Sequence, residues 1–416
     1  MKDRLTGAEL TELFSLGDFY LSDFVLYNTD SQLNKKFDLT VMLSEETKCL
    51  QLKTSVDKDL MYGKYWYRSG TNSSMREELK SIAEDAIKLS RNTHTYAGKK
   101  IFLDIACNDG TLLSNVPSDK FYRIGIDPVE GYDEAKERSD EIIVDYFSEK
   151  IYNKSKIGGK ASIVTCIAMF YDLDDPISFL KEIYNVMDDN GLFIIQQSYM
   201  PLMIHQLAFD NICHEHVFYH SLYSMEYVLN RAGFKIVDVQ LNDINGGSFR
   251  TYIQKKIADP HSFYTAPHRD VCKMRVESLR AYEESLNLDK EDTYLEFWEK
   301  IQELKTKTVD FIKRKNSEGK KIWVYGASTK GNTLLQWFGL DINLIEAAAE
   351  RSPYKFGLKT IGTNIPIFSE EYMRKQKPDY LLVLPWHFIN EFKERESKYL
   401  EKGGKFIVPC PEFEII

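Results

Sequence analysis

The stretch Ile101-Phe102-Leu103-Asp104-Ile105-Ala106-Cys107-Asn108-Asp109-Gly110-Thr111 decides the fold. An apolar run of strand length ends in a tight polar turn with a single glycine, and helix-patterned sequence follows. Runs of the same kind recur at Tyr122 to Asp127, Ile142 to Val144, Ser162 to Cys166 and Leu192 to Gln196. Near-continuous apolar strands alternating with helices predict a parallel sheet covered on both faces. Two further strands, Phe234 to Val239 and Phe249 to Ile253, are joined by Asn245-Gly246-Gly247 and read as a hairpin-like edge. Upstream, Leu79, Ile82, Ala83, Ala86, Ile87 and Leu89 recur at helical spacing within a helix expected from Met75 to about Asn92.

Working outward, the segment to Ser74 reads as a small irregular accessory unit. Downstream, His268 to Lys315 reads as helical with a break near Asn287-Leu288-Asp289. Lys321 to Tyr325 then opens a second α/β unit with strands at Leu344 to Ala349, Tyr380 to Leu384 and Phe406 to Val408. The expected fold is α/β: a central doubly wound sheet, a second Rossmann-like carboxyl-terminal unit and a small amino-terminal unit. The expected divisions are 1–74, 75–256 and 257–416.

Composition agrees with such a chain. It has 416 residues, 43% hydrophobic and 13% aromatic, enough to bury several cores. Lys plus Arg number 54 against 63 Asp plus Glu, a net charge of −9 that gives no reason to expect a nucleic-acid partner. No run approaches the roughly 18 to 20 apolar residues that span a bilayer, and a cytoplasmic enzyme is expected. The cysteines Cys49, Cys107, Cys166, Cys213, Cys272 and Cys410 are scattered singly, without a C-x-x-C pair.

In a doubly wound sheet the ligand lies beyond the carboxyl ends of the strands. Asp104, Ala106, Asn108 and Gly110 form the first turn, and Asp127-Pro128 ends the next strand, where an acid can take both ribose hydroxyls of a nucleoside cofactor. Asp145 and Phe147 after the third strand, and Ala168 and Phe170 after the fourth, are placed to flank an adenine. Asn211-Ile212-Cys213-His214-Glu215-His216 brings two imidazoles and a carboxylate to the same edge, a pattern that suits proton abstraction. His-x-His can also chelate a metal, but further ligands at familiar spacing are missing. Gly326-Ala327-Ser328-Thr329-Lys330-Gly331 followed by Glu350 is a degenerate dinucleotide fingerprint, so an NAD-dependent sugar-nucleotide oxidoreductase or epimerase is the alternative enzyme reading. A catalytically silent scaffold is the third.

Taken together, Tyr65 to Gly70, Asn108 to Thr111, Asp127-Pro128, Ile212 to His216, Asn245 to Ser248, Gly326 to Thr333 and Leu384 to His387 resemble the deoxysugar C-methyltransferases. These S-adenosylmethionine-dependent enzymes methylate nucleotide-linked keto-sugars. The resemblance covers nearly the whole chain and implies a central class I methyltransferase sheet, with the sugar nucleotide between it and the carboxyl-terminal unit. It implies His216 as the base beside Glu215, with Tyr65 and Tyr67 lining the sugar site. Around the substrate it places Cys213, His214, Asn245, Gly246, Lys330, Asn332, Trp386 and His387. It also implies an amino-terminal zinc domain held by two Cys-x-x-Cys pairs, but here Asp3, Thr6, Ser44 and Thr47 occupy those places. Loss of zinc is therefore expected. Cys213 stands where some relatives have a tyrosine, which leaves O-methylation or a non-sugar acceptor as alternatives.

Overall fold

The computed structural model describes residues 1–26, 35–62, 66–90, 93–130, 133–263 and 266–416. Its largest sheet has seven strands in the order Phe234–Asn242, Ser248–Lys255, Met187–Ser198, Ala161–Ile167, Lys100–Ile105, Phe121–Asp127 and Glu141–Val144. The five from Met187–Ser198 to Glu141–Val144 run parallel, and the hairpin Phe234–Asn242 and Ser248–Lys255 adds antiparallel strands at one edge.

Alternation along Lys100–Ile105 shows why both faces must be covered. Ile101, Leu103 and Ile105 enter one core, with Leu180 and Ile183 of helix Pro176–Val186 and Val228 and Leu229 of helix Leu222–Arg231. Phe102 enters the opposite core, against helix Ser73–Leu89. That helix buries Met75, Leu79, Ile82, Ala83, Ala86 and Leu89, a stripe at three- and four-residue spacing. Each large side chain so buried is worth about 1.5–3 kcal/mol. Its polar face is tied down too: Arg250, 3% exposed, donates to Glu78 at 2.8 Å and Asp85 at 2.9 Å.

The carboxyl-terminal sheet has six strands, ordered Ile367–Ser369, Ala347–Glu350, Ile322–Tyr325, Tyr380–Val383, Lys405–Val408 and Glu414–Ile415, with only the last pairing antiparallel. Two long helices, Ala266–Glu284 and Glu291–Ser317, precede it; the expected break between them falls where Asn287 takes a φ of 52°. Among the described residues no helix is long and apolar enough to cross a membrane.

The amino-terminal segment is not irregular. Thr11–Tyr20, Lys36–Ser44 and Cys49–Leu52 form an antiparallel sheet, completed by Phe218–Tyr219 from the segment directly after His216. Phe14 and Leu16 alternate inward along the first strand, but the register shift between Ser15 and Asp18 and the polar residues there hide the period in the sequence. A second pairing, Phe24–Leu26 with Leu358–Thr360, joins this segment to the carboxyl-terminal unit.

Asp3, Thr6, Ser44 and Thr47, which stand where the resemblance implies cysteines, meet in space. Asp3 Oδ2 accepts from Ser44 Oγ at 2.6 Å and Thr6 Oγ1 at 3.0 Å, Thr47 Oγ1 donates to Ser44 Oγ at 2.8 Å, and Gln51 Nε2 reaches Asp3 Oδ1 at 2.5 Å. Hydroxyls around one buried carboxylate do not fit zinc, which takes thiolates and imidazoles in structural sites. They do satisfy one another, and the cluster closes the same two loops by hydrogen bonds. Asp3→Ala strands these donors in a buried site and is expected to cost about 1–3 kcal/mol, read by chemical unfolding, with EDTA leaving the wild-type transition unmoved.

Candidate active site

A cavity of about 430 Å³ opens at the carboxyl ends of the central strands and continues to the Gly326 turn of the carboxyl-terminal unit. On the central side it is lined by Asp104, Ala106, Asn108, Asp127, Pro128, Phe147 and Ala168, as the sequence predicted. The turn is built on unusual backbone: Ala106 and Asn108 have φ of 57° and 52°, in the left-handed region that favours glycine. Ala106 thus adopts a conformation that glycine reaches more easily. Asp127 holds the loop in shape, its Oδ2 accepting from Asn108 N at 2.8 Å and its Oδ1 from Val129 N at 2.9 Å. A carboxylate held this way keeps lone pairs for two hydroxyls.

The same loop fixes the tyrosine-rich segment over the cavity. Asn108 Nδ2 donates to the Tyr67 carbonyl at 3.0 Å, Asn108 Oδ1 accepts from Ser69 N at 3.0 Å, and Asp109 Oδ2 from Gly70 N at 2.9 Å. Gly70 is required by this approach, since a Cβ there would stand 2.8 Å from Asp109 Oδ2. Tyr67 lines the cavity; Tyr65 lies outside the described residues.

Asp104 is buried beneath the turn, and burial pushes its carboxyl up to about 7, with the charge of Asp127 adding and the hydrogen bond from Thr165 Oγ1 at 2.6 Å opposing. A carboxyl raised in the folded state stabilises the protein below its ordinary value of 3.8, and that contribution is lost as pH rises through about 7. A cationic ligand favours the ionised form. Binding of S-adenosylmethionine, the cofactor that the resemblance implies, is therefore expected to tighten between pH 6 and 8 and to release a proton near pH 7, with Asp104→Asn flattening both, as calorimetry in buffers of different ionisation heat would read.

The cavity is further lined by Cys213, Glu215, His216, Asn245, Lys330 and His387. His216 Nδ1 lies 2.8 Å from the Asn211 carbonyl. A carbonyl only accepts, so Nδ1 carries the proton and Nε2 the lone pair. Burial, with the Lys330 charge adding, holds His216 well below the ordinary imidazole range, so the ring is neutral at neutral pH. The Tyr171 ring packs against it at 4.1 Å between centroids. Burial likewise lowers His387, to about 3.

Several other predicted contacts do not line the cavity. His214 turns away to donate from Nε2 to the Phe37 carbonyl at 3.0 Å, a strut to the amino-terminal sheet. Phe170 is fully buried against Phe179 and His220, while its neighbours Met169 and Tyr171 line the cavity. Asp145 lies 4.0 Å from Lys154, outside the cavity. Gly110 serves packing: a Cβ there would sit 2.9 Å from Ala135 Cα. Asn332 donates to the Asp23 carbonyl at 3.0 Å, and Gly246 lies under Trp386, whose Nε1 donates to Asp210 Oδ1 at 3.1 Å. Glu350 lines the far end of the cavity, beside Lys355 at 3.6 Å, with Oε1 taken by the backbone N–H groups of Arg351 and Ser352. Cavity-lining residues the sequence reading passed over include Asp172 and Asp210. Their signal was proximity to motifs already singled out, two positions after Phe170 and directly ahead of the Asn211 to His216 segment.

The sheet and its cradle are those of a class I, S-adenosylmethionine-dependent methyltransferase. Residues 75–239 match the family described as a methyltransferase domain, and residues 243–411 the C-methyltransferase C-terminal domain. The chain is similar to the C-methyltransferase NovU of Streptomyces niveus, 27% identical over 91% of this chain and 88% of that protein. Together these matches support an S-adenosylmethionine-dependent C-methyltransferase activity for this chain. Solved structures similar over part of it include magnesium protoporphyrin IX methyltransferase from Synechocystis PCC 6803 with bound S-adenosylmethionine, at 12% identity over 43% of this chain and 79% of that one, TM-score 0.31. A second is an S-adenosylmethionine-dependent methyltransferase from Clostridium acetobutylicum, at 13% identity over 43% and 92% of the two chains, TM-score 0.33.

Proposed function

We propose that this chain methylates the carbon next to the ketone of a nucleotide-linked deoxysugar, with His216 as general base. The observation that carries the reading is the state of that histidine: buried, neutral, with Nδ1–H spent on the Asn211 carbonyl and Nε2 left as the basic nitrogen of a cavity shared with the cofactor turn. Oxygen acceptors lose their own proton readily. A carbon acid needs a dedicated, unprotonated base at close range.

S-adenosylmethionine, held by the Asp104 to Asn108 turn and Asp127, supplies an electrophilic methyl group. His216 takes the proton from carbon; Tyr67 and Glu215 border the same space, and Asn245, Cys213 and His387 wall the acceptor side. The nucleotide is assigned to the end of the cavity at Gly326, Ser328 and Arg351, where a cation and the start of helix Thr329–Phe338 favour phosphate. Residues 75–256 are read as the cofactor unit, 257–416 as the nucleotide unit and 1–74 as the accessory unit. Incubation with methyl-labelled S-adenosylmethionine and a panel of nucleoside-diphosphate keto-deoxysugars is expected to yield a methylated sugar nucleotide; label appearing only on non-sugar or hydroxyl acceptors contradicts the reading.

A further inference from the structure

A residue behind the cavity wall joins the central and carboxyl-terminal units. Asn211, fully buried, uses both halves of its peptide and side chain. Its carbonyl takes the Nδ1–H of His216 at 2.8 Å. Its side-chain Oδ1 takes Lys330 Nζ at 2.6 Å, across 119 residues of sequence. The amide cannot flip, because Nδ2 donates to the Ala208 carbonyl at 3.1 Å. The base and a lysine from the carboxyl-terminal unit are therefore hung on one rigid residue. Next to it, Trp386 of the same unit donates to Asp210, so the contact is doubled.

Lys330 faces the reacting end of the cavity. Its charge reaches His216 and His387, both of which it pushes down, and Asp172 and Asp210, which it draws down against the larger effect of burial; Glu215 completes the charged surroundings. Lys355, the buried lysine of the cavity, lies at its far end, donating to the Ala327 carbonyl at 2.7 Å beside Glu350.

We propose that Lys330 is a catalytic residue of this chain, the cation that stabilises the oxygen of the enolate as His216 takes the proton, and that Asn211 is the positioning residue registering the two. The inference rests on the ketone reading above. In the step, the C–H bond beside the ketone breaks and the proton passes to His216 Nε2. The bond's electron pair forms the C=C bond while the carbonyl pair moves onto oxygen, opposite the Lys330 ammonium. The enolate carbon then takes the methyl group, a C–C bond forming as the S–CH3 bond breaks with its pair left on sulfur. A neutral base and a cation set in advance where negative charge appears are the two things enolisation requires.

The test is deuterium uptake from D2O at the carbon next to the ketone, with S-adenosylhomocysteine bound and a panel of nucleoside-diphosphate 4-keto-6-deoxyhexoses as probes. Lys330→Met is expected to slow uptake at least about 100-fold with KM changed less than about threefold, the size of effect seen when one oxyanion donor is removed. Lys330→Arg retains part of the rate, and Asn211→Ala falls between. Histidine NMR supplies a readout without substrate: in Lys330→Met the His216 ring titrates at higher pH than in wild type. Uptake that survives in Lys330→Met with a raised KM, or an unmoved His216 titration, overturns the inference and leaves Lys330 a substrate anchor. No uptake by the wild-type chain on any probe sinks the ketone reading itself, and this inference with it.

Discussion

His216→Asn is expected to lower methyl transfer by at least about 1,000-fold while leaving S-adenosylhomocysteine affinity within about twofold. General-base assistance alone is worth roughly 100- to 10,000-fold. Here the effect falls at the upper end because the deprotonated atom is carbon and burial admits no substitute base in the same position. Asparagine keeps a group able to donate to the Asn211 carbonyl, so the loop should hold. The cofactor turn is built from separate segments, Asp104 to Gly110 and Asp127, so binding there should not notice the change. Turnover near the wild-type rate would remove His216 as the base; loss of S-adenosylhomocysteine binding would mean the loop had collapsed.

Asp127→Ala carries the second large effect, on the cofactor rather than the chemistry. Hydrogen bonds to a charged group contribute about 1.5–3 kcal/mol each. Losing two to ribose hydroxyls corresponds to at least a 100-fold rise in Kd for S-adenosylhomocysteine. The same carboxylate also accepts the backbone N–H groups of Asn108 and Val129, so part of the loss comes from the loop. Asp127→Asn separates the two: it preserves one acceptor for the loop and should lose less. Calorimetric titration of both variants, with thermal unfolding as the control for the fold, measures the difference. An unchanged Kd in Asp127→Ala would show that the cofactor lies elsewhere in the cavity.

The central sheet was legible because its strands are buried on both faces and read as apolar runs, and because the turn after Lys100–Ile105 and the acid at Asp127 lie at fixed places along such strands. The amino-terminal sheet was not, since its first strand is half-exposed and broken by a register shift, and its last strand comes from residues 218–219, far along the chain. In the site, the sequence singled out the His-Glu-His segment as the candidate for proton abstraction. The division of labour between its imidazoles depends on tertiary partners, Phe37 for His214 and Asn211 for His216, which no local spacing encodes. Phe170 and Tyr171 differ by one position, and only Tyr171 lines the cavity. The pairing of Asn211 with Lys330 is likewise a property of how two sheets are docked.

The most direct test of the account is where the transferred methyl lands. With S-adenosylmethionine carrying a 13C methyl group and a keto-deoxysugar nucleotide that turns over, the account predicts a product whose labelled methyl shows one-bond carbon–carbon coupling to the position beside the ketone. A labelled methyl bonded to oxygen, or to a carbon not adjacent to the ketone, would contradict it.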